Sequence, residues 1–215
     1  MYEGAKVAAK FPLSEVSSES FYHEVRMHEA IPPHNNVIKM VGVCIQPMAL
    51  VLEFYPHSLR NYMDDKTKNN RRSTSSLEHL ELVLRVAIDV SAGLIILHSA
   101  GVIHRDIAGR NTYLRGDLSA CIADFGLAVQ MKKGSKTYVQ TSKEREKDDL
   151  PVYTSAPESL SEGEFSPKSD VFMFAKFLWE LFNGRQASNN DDRKYYTEHL
   201  LAGKRPPIPK TGWPL

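Results

Sequence analysis

Two rhythms of apolar and polar residues run along this chain. Residues 5–11, AKVAAKF, form a short apolar run that predicts a strand ending before Pro12. Residues 17–31 switch to a helical rhythm, with Phe21, Val25 and Ile31 near one face and serines placed to cap the start. VIKMVGVC and MALVLEFY then predict two antiparallel strands joined by a turn at Gln46 and Pro47. The charged run from Asp64 to Ser76 predicts a surface loop. Beyond it, LEHLELVLRVAIDVSAGLIILHSAG keeps helical spacing until Gly101, which predicts a long core helix. SPKSDVFMFAKFLWELFNGR predicts a second buried helix, and YYTEHLLAGKRPPIP a short helix followed by a proline-rich connector.

Composition narrows the function classes. With 215 residues, the chain is long enough for one large domain or two small lobes with buried cores. The net charge of +1, from 27 basic and 26 acidic residues, argues against a nucleic-acid binder or a polybasic membrane module. An apolar content of 42% is ordinary for a water-facing globular domain. The longest apolar stretch is interrupted by Lys39, Gln46 and Pro47, so no membrane segment is expected in this chain. MYEGAKVAAKFP carries two lysines and no long apolar centre, unlike a secretory signal. Cys44 and Cys121 lie in apolar stretches and are expected to be reduced core residues of a reducing compartment.

Candidate chemistry concentrates in HRDIAGRN, residues 104–111, followed by DFG, residues 124–126. Asp106 and Asp124 supply two carboxylates, and Asn111 supplies an amide oxygen. One carboxylate can accept a proton from a hydroxyl nucleophile while the other two oxygens hold magnesium on a nucleotide's phosphates. VAAK lies upstream at residues 7–10, and SAPES, containing Ala156-Pro157-Glu158, lies downstream at 155–159. Each triplet alone is weak; four motifs in this order are specific.

The ordered set resembles the protein kinase family. The resemblance implies an α+β, two-lobed protein kinase-like fold, with a truncated β-rich N-lobe carrying one helix (residues 1–55) and a mainly α-helical C-lobe (56–215). It implies ATP and Mg2+ as cofactors and a protein substrate. Lys10 matches the lysine that contacts the phosphates, where a cation on a flexible stem is needed. Glu24 matches its helix partner. Ala8 matches the alanine that packs on adenine, Leu52 the gatekeeper, and Glu53 and Tyr55 the hinge residues that offer backbone groups to the purine. Asp106 matches the proton acceptor, and Asn111 and Asp124 the magnesium ligands. Arg105 matches the arginine that meets a phosphorylated activation segment. Tyr138, in KTYVQ, is the phosphosite candidate of a segment expected to be mobile. Asp170 matches the aspartate that holds the catalytic loop, and His104 is expected to pack rather than react.

Ala108 and Arg110 in the catalytic loop, with Leu150-Pro151-Val152, favour tyrosine over serine or threonine as acceptor. Four departures stand against the family pattern. His28 replaces an apolar residue that packs toward the DFG phenylalanine. Tyr113 replaces an aliphatic residue under adenine, where it would crowd the pocket. Thr154 and Ser155 replace Trp-Met. The lysine strand begins so near Met1 that no glycine-rich loop precedes it, and the chain stops before the terminal helices. The expectation is a domain incomplete at both ends, binding ATP weakly, marginally stable, and with Glu158 buried and unpaired. The departures also support a rival reading, a pseudokinase or fragment serving as a binding or regulatory module. A cytoplasmic location is expected, within a possible larger receptor or multidomain parent.

Overall fold

The computed structural model describes residues 4–12, 18–68, 76–147, 150–183 and 193–206. The expected proline-rich connector from residue 207 and the middle of the expected loop, 69–75, lie outside the described residues, as do the first serines proposed as helix caps.

β1 (Val7–Lys10) is followed by α1 (Ser18–Ala30), β2 (Met40–Ile45) and β3 (Met48–Glu53). β3 is the middle strand, antiparallel to both neighbours, with Ala8 opposite Leu52 and Lys10 opposite Leu50. The helical rhythm of α1 buries Phe21, Glu24, Met27 and His28, and Ile31 just past its end is buried too. This spacing is the face of an amphipathic helix, with two polar side chains turned inward among apolar ones. Val25 is only half-buried.

The remainder is mainly helical, threaded by short strands. β4 (His57–Ser58), α2 (Leu59–Lys68) and α3 (Ser76–Ser99) lead to β5 (Val102–Ile103). A 3-10 turn, Gly109–Asn111, opens into β6 (Thr112–Leu114), then β7 (Ala120–Ile122) and β8 (Val129–Gln130). β9 (Tyr138–Val139), α4 (Ser142–Lys147), α5 (Pro157–Ser161) and β10 (Glu164–Phe165) follow, then α6 (Pro167–Asn183) and α7 (Arg193–Leu201). The small sheets pair β4-β6-β7, β5-β8 and β10-β9.

α3 is the axis of this part. Val83, Val86, Val90, Leu94 and Leu97 recur at helical spacing and are all buried. Burying each such side chain stabilises by roughly 1.5–3 kcal/mol before the ordering cost. Gly93 sits where α3 crosses the chain at Asn36 and Ile122. A Cβ there would lie 2.6 Å from Asn36 O, so Gly93→Ala would force the backbones apart. At the same crossing Ile38 N donates to Ile122 O at 2.8 Å and Ile122 N to Asn36 O at 2.9 Å. Those bonds fix β7, and with it Asp124, against the first sheet's end of the molecule. Gly101, with φ of 74°, ends the helix in the left-handed region.

Three expectations fail here. The run from Asp64 to Ser76 is not all loop: α2 continues to Lys68, aided by an Arg60 Nε to Asp64 Oδ2 pair at 2.9 Å. Cys44 is half-buried rather than a core residue, because β2 is an edge strand; Cys121 is fully buried, and both thiols are free. Glu158 is half-buried, so no fully desolvated orphan charge arises; it lies in the first turn of the short α5 instead.

Candidate active site

The first turn of α6 sets the geometry of the catalytic loop. Asp170 is fully buried, and its two oxygens accept the His104 and Arg105 backbone N–H groups at 2.9 and 3.0 Å. His98 Nε2 is bonded to the same carboxylate at 2.8 Å. A buried carboxylate needs such donors, and here they hold the chain's reversal at Arg105, whose φ is 66°. Asp124 has φ of 67°. Left-handed backbone at non-glycine residues costs about 1–3 kcal/mol and persists only where surroundings impose it.

His104 is buried and binds on both edges. Its Nδ1 accepts the Asp106 N–H at 3.2 Å and its Nε2 faces Ala123 O at 3.1 Å, which fixes the proton on Nε2. Ala123 N donates to Asn111 O at 2.8 Å. The HRD and DFG segments are thereby stitched together at both ends. Phe125 packs edge-on against His104, with ring centroids 5.4 Å apart, and against His28 at 4.8 Å. His28 therefore takes the apolar place the family pattern reserves, as an aromatic edge. Its Nε2 is buried without a hydrogen-bond partner among the described residues. Burial, with Lys10 nearby, lowers its pKa to about 4, so the ring is neutral near neutral pH.

The charges converge at one place. Lys10 Nζ donates to Glu24 Oε1 at 2.8 Å and to Asp124 Oδ1 at 2.9 Å. Burial disfavours the Lys10 charge, but Glu24 and Asp124 outweigh it and raise its pKa. Burial likewise opposes the Asp124 charge, and Lys10 more than compensates, holding its carboxyl below the usual range. His23 on α1 adds a second tie, with Nε2 bonded to Ala128 O at 2.7 Å.

Asp106 is paired with Arg110, one helical turn later. Asn111 Nδ2 donates to Asp106 Oδ2 at 2.7 Å and to Asp106 O at 2.9 Å. Both bonds use the amide's N–H donors, so the Asn111 Oδ1 acceptor remains the group to offer a cation. Asp106, Arg110, Asn111, Lys10, Glu24 and Asp124 are thus connected through contacts and the Ala123–Asn111 tie.

The expected hinge lies across the first sheet. Ala8 is half-buried opposite Leu52, which is buried. Glu53 N donates to Lys39 O at 3.0 Å, so the amide of this expected hinge residue is engaged within the protein. Tyr55 turns its side chain inward. Its hydroxyl donates to Glu53 Oε2 at 3.2 Å and accepts from Arg115 Nη2 at 2.8 Å. Burial and the neighbouring Cys121 raise the Tyr55 pKa, and burial pushes the Cys121 thiol up to about 11. Tyr113 is half-buried, with its ring 6.2 Å from that of Tyr55.

Within the segment after DFG, β8 pairs with β5 and β9 with β10. Tyr138 is half-buried in β9. Its hydroxyl donates to Glu144 Oε1 at 2.5 Å, and the Arg105 guanidinium lies 5.8 Å from its ring and 4.9 Å from that of Phe165. Arg105 Nε also donates to Leu127 O at 2.5 Å. In the 150–155 segment, Pro151 O accepts the N–H groups of Thr154 and Ser155, both at 3.0 Å, and their hydroxyls at 3.2 and 3.0 Å. The positions expected to hold Trp-Met thus close a tight polar turn.

Sequence reasoning missed His23, Arg115, Lys176 and Tyr196 as partners of these elements. Nothing in local periodicity marks them, since each acts across a long stretch of chain. The only signal was compositional: two histidines on the short helix that carries Glu24.

Comparison with known proteins matches residues 3–214 to the model for the protein tyrosine and serine/threonine kinase family. The megakaryocyte-associated tyrosine-protein kinase of Mus musculus is 32% identical over 210 residues, 95% of this chain and 37% of that protein. Tyrosine-protein kinase Fer of Mus musculus is 34% identical over 152 residues, 70% of this chain and 17% of that protein. The inactive tyrosine-protein kinase kin-32 of Caenorhabditis elegans is 32% identical over 180 residues, 82% of this chain and 19% of that protein. The chain belongs to the protein tyrosine and serine/threonine kinase family and has that family's mixed fold of helices and strands. It spans about two-fifths or less of the length of these curated relatives. Among the described residues, no helix is long and apolar enough to cross a membrane.

Proposed function

We propose that this chain transfers the γ-phosphoryl group of ATP to a protein hydroxyl, tyrosine before serine or threonine. One observation carries the reading: Lys10 bridges Glu24 and Asp124 within 3 Å of each, beside a tethered Asp106 and Asn111. A cation held at this place can turn from a carboxylate to phosphate oxygens over a short distance, and a positioned charge is the usual main source of acceleration in phosphoryl transfer. Asp106 accepts the proton of the attacking hydroxyl, and Arg110 orients its carboxylate. Asn111 and Asp124 offer hard oxygens, the donor set that magnesium takes alongside phosphates and waters. Among the described residues no group of three or more His, Cys, Asp and Glu could cage a metal, so these two donors would share the ion with the nucleotide. When bound, Mg2+ would neutralise charge developing on the phosphates. Ala8, the Glu53 carbonyl and the Tyr55 backbone would hold adenine.

Tyrosine is favoured because the relatives above are tyrosine kinases by name, and because Arg110 and Pro151 match that pattern. Residues 1–55 and 56–215 would be the two lobes, working in the cytoplasm on protein substrates within a larger receptor or multidomain parent. Tyr138 is the candidate acceptor for autophosphorylation.

The test is phosphoryl transfer to mixed peptide pools by protein carrying residues 1–215, with products read by mass spectrometry. Asp106→Asn should lower turnover about a hundredfold or more with the fold intact. Unchanged turnover would remove Asp106 from the role, and phosphoserine and phosphothreonine alone would overturn the tyrosine assignment. A second reading, a pseudokinase, is favoured by His28 in the packed stack and by the relative named inactive. No transfer by folded wild-type protein with an intact Lys10–Glu24 contact would establish it.

A further inference from the structure

Lys176 stands apart from the machinery above. It lies on α6, one turn and a half after Asp170, and only 4% of its surface is exposed. Its amine donates to the Tyr196 hydroxyl on α7. That hydroxyl in turn donates to Tyr153 O at 2.7 Å. The Tyr153 and Tyr196 rings meet edge-on, with centroids 5.1 Å apart. The Lys176 amine also lies 5.0 Å from the Tyr196 ring centroid and 6.0 Å from that of Phe172. A buried amine bonded to a phenol, which is bonded to a backbone carbonyl, is a polarised chain in which each donor strengthens the next. Its far end is the residue that follows Leu150-Pro151-Val152.

We propose that Tyr196, polarised by the Lys176 amine, is a positioning residue for the protein substrate: it fixes the backbone of the 150–153 segment against which the acceptor peptide lies. The inference rests on the kinase reading for the role of that segment. The turn at Pro151 holds the segment from one side through Thr154 and Ser155; Tyr196 holds it from the other. Neither Lys176 nor Tyr196 is bonded to Lys10, Asp106, Asn111 or Asp124. The relay should therefore govern peptide affinity and leave nucleotide affinity alone.

The charges around the amine sharpen the expectation. Burial, and after it Arg205 just past α7, lower the Lys176 pKa against the opposing Glu180 on its own helix, to about 8 in all. Burial pushes the Tyr196 phenol up to about 12, so the phenol stays protonated where the amine titrates. As pH rises through about 8 the relay loses its charge but keeps its phenol.

The experiment uses a random glutamate–tyrosine copolymer as probe. Its Kd is measured by fluorescence anisotropy, beside the Kd for ATP and the rate of transfer, in wild type, Tyr196→Phe, Lys176→Met and the double variant. Expected for Tyr196→Phe is a copolymer Kd and KM raised about five- to tenfold, the scale of one lost buried hydrogen bond. ATP affinity and kcat should stay within about twofold. The two single effects should be strongly non-additive in the double variant. Wild-type affinity for the copolymer should fall above about pH 8, and this limb should vanish in Lys176→Met. Copolymer affinity unchanged in folded Tyr196→Phe overturns the inference, as does a parallel loss of ATP affinity and kcat, which would mark a general packing role. Failure of wild type to bind the copolymer overturns it too. Binding that Tyr196→Phe weakens, in a wild type that transfers no phosphate, would uphold the inference and overturn the kinase reading instead.

Discussion

Asp170 and Lys10 each gather two or more partners from distant stretches of chain, yet in opposite surroundings. Asp170 has no exposed surface, and its partners His98, His104 and Arg105 lie in one small region of the chain. Lys10 leaves 42% of its side chain exposed, as does Asp124 with 46%, while Glu24 keeps only 10%. A buried carboxylate cannot exchange its donors for water, so its loop has one geometry. A half-exposed cation can trade a carboxylate for water or phosphate at small cost. The lower site is built to stay, and the upper one is built to change partners. A phosphoryl-transfer site needs both: fixed backbone under the reacting groups, and a cation free to move between protein and nucleotide.

The largest effect should come from breaking the rigid half. Asp170→Ala would leave two backbone N–H groups and the His98 ring without their acceptor. The expected loss is about 3–5 kcal/mol of stability, read from denaturant unfolding, with transfer abolished. A loss under about 1 kcal/mol would mean that water replaces the carboxylate and that the contrast drawn above is wrong.

Next in size is the acid response of His28, which lies between the two halves against Phe125. Its folded pKa of about 4 lies below its ordinary 6.5. The unfolded chain therefore binds the proton first, and the folded state is fully favoured only above about pH 6.5. Stability should fall as pH drops from 6.5 to about 4, by about 3 kcal/mol in total, and no further from this group below that. Asp124, whose pKa is lowered from 3.8, acts in the same direction but at lower pH, so the windows separate. Unfolding midpoints between pH 4 and 7 check this. His28→Met should flatten the slope, since thioether and ring fill similar space.

For the exchangeable half, Glu24→Gln, which keeps an acceptor for Lys10, should change stability by under about 1 kcal/mol, whereas Lys10→Met also strands the buried Glu24 carboxylate and should cost about 1–3 kcal/mol. Transfer should nevertheless fall at least about tenfold with Lys10→Met, because a positioned charge on the phosphates is lost. Stability and initial rates on the same preparations decide it. A stability loss as large as that of Asp170→Ala would erase the difference between the sites.

Local pattern carried the fold where one face of an element meets the core. α3 and α6 were legible because Val83 to Leu97, and Met173 to Leu181, repeat at helical spacing. The site was legible as a list of types, since HRD, Asn111 and DFG are contiguous and ordered. Its connections were not. His23 to Ala128 and Lys176 to Tyr153 join elements whose approach depends on how helices cross, which no window of sequence contains. α2 was misread because Asp64, Asp65 and Lys66 look like a solvated loop; half-buried Tyr62 and Met63, packed on the core, keep the helix going. Glu158 was misjudged for the reverse reason: a motif position said buried, and the short α5 leaves it half in water.

The last contrast lies at Tyr138, where the rigid region meets the segment that follows DFG. Substitution separates two of the interactions that hold this residue. The hydroxyl bonds Glu144, whose carboxyl it keeps below the usual range together with Thr141 N and Oγ1 at 2.7 and 2.8 Å. The ring covers the Arg105 guanidinium alongside Phe165. Tyr138→Phe removes the first and keeps the second, so stability should drop by about 1 kcal/mol or less. Tyr138→Ala removes both and should cost about 2 kcal/mol, with faster amide exchange across 138–147. If the two variants matched, Glu144 alone would order the segment. If Phe were neutral and Ala costly, the ring on Arg105 would be the anchor. A phosphate on this hydroxyl would meet the Glu144 carboxylate, so modification must break the present contact before Arg105 can take the new charge. Glu144→Gln should then speed labelling of Tyr138 by kinase and ATP, and unchanged labelling would show that the contact opens freely without help.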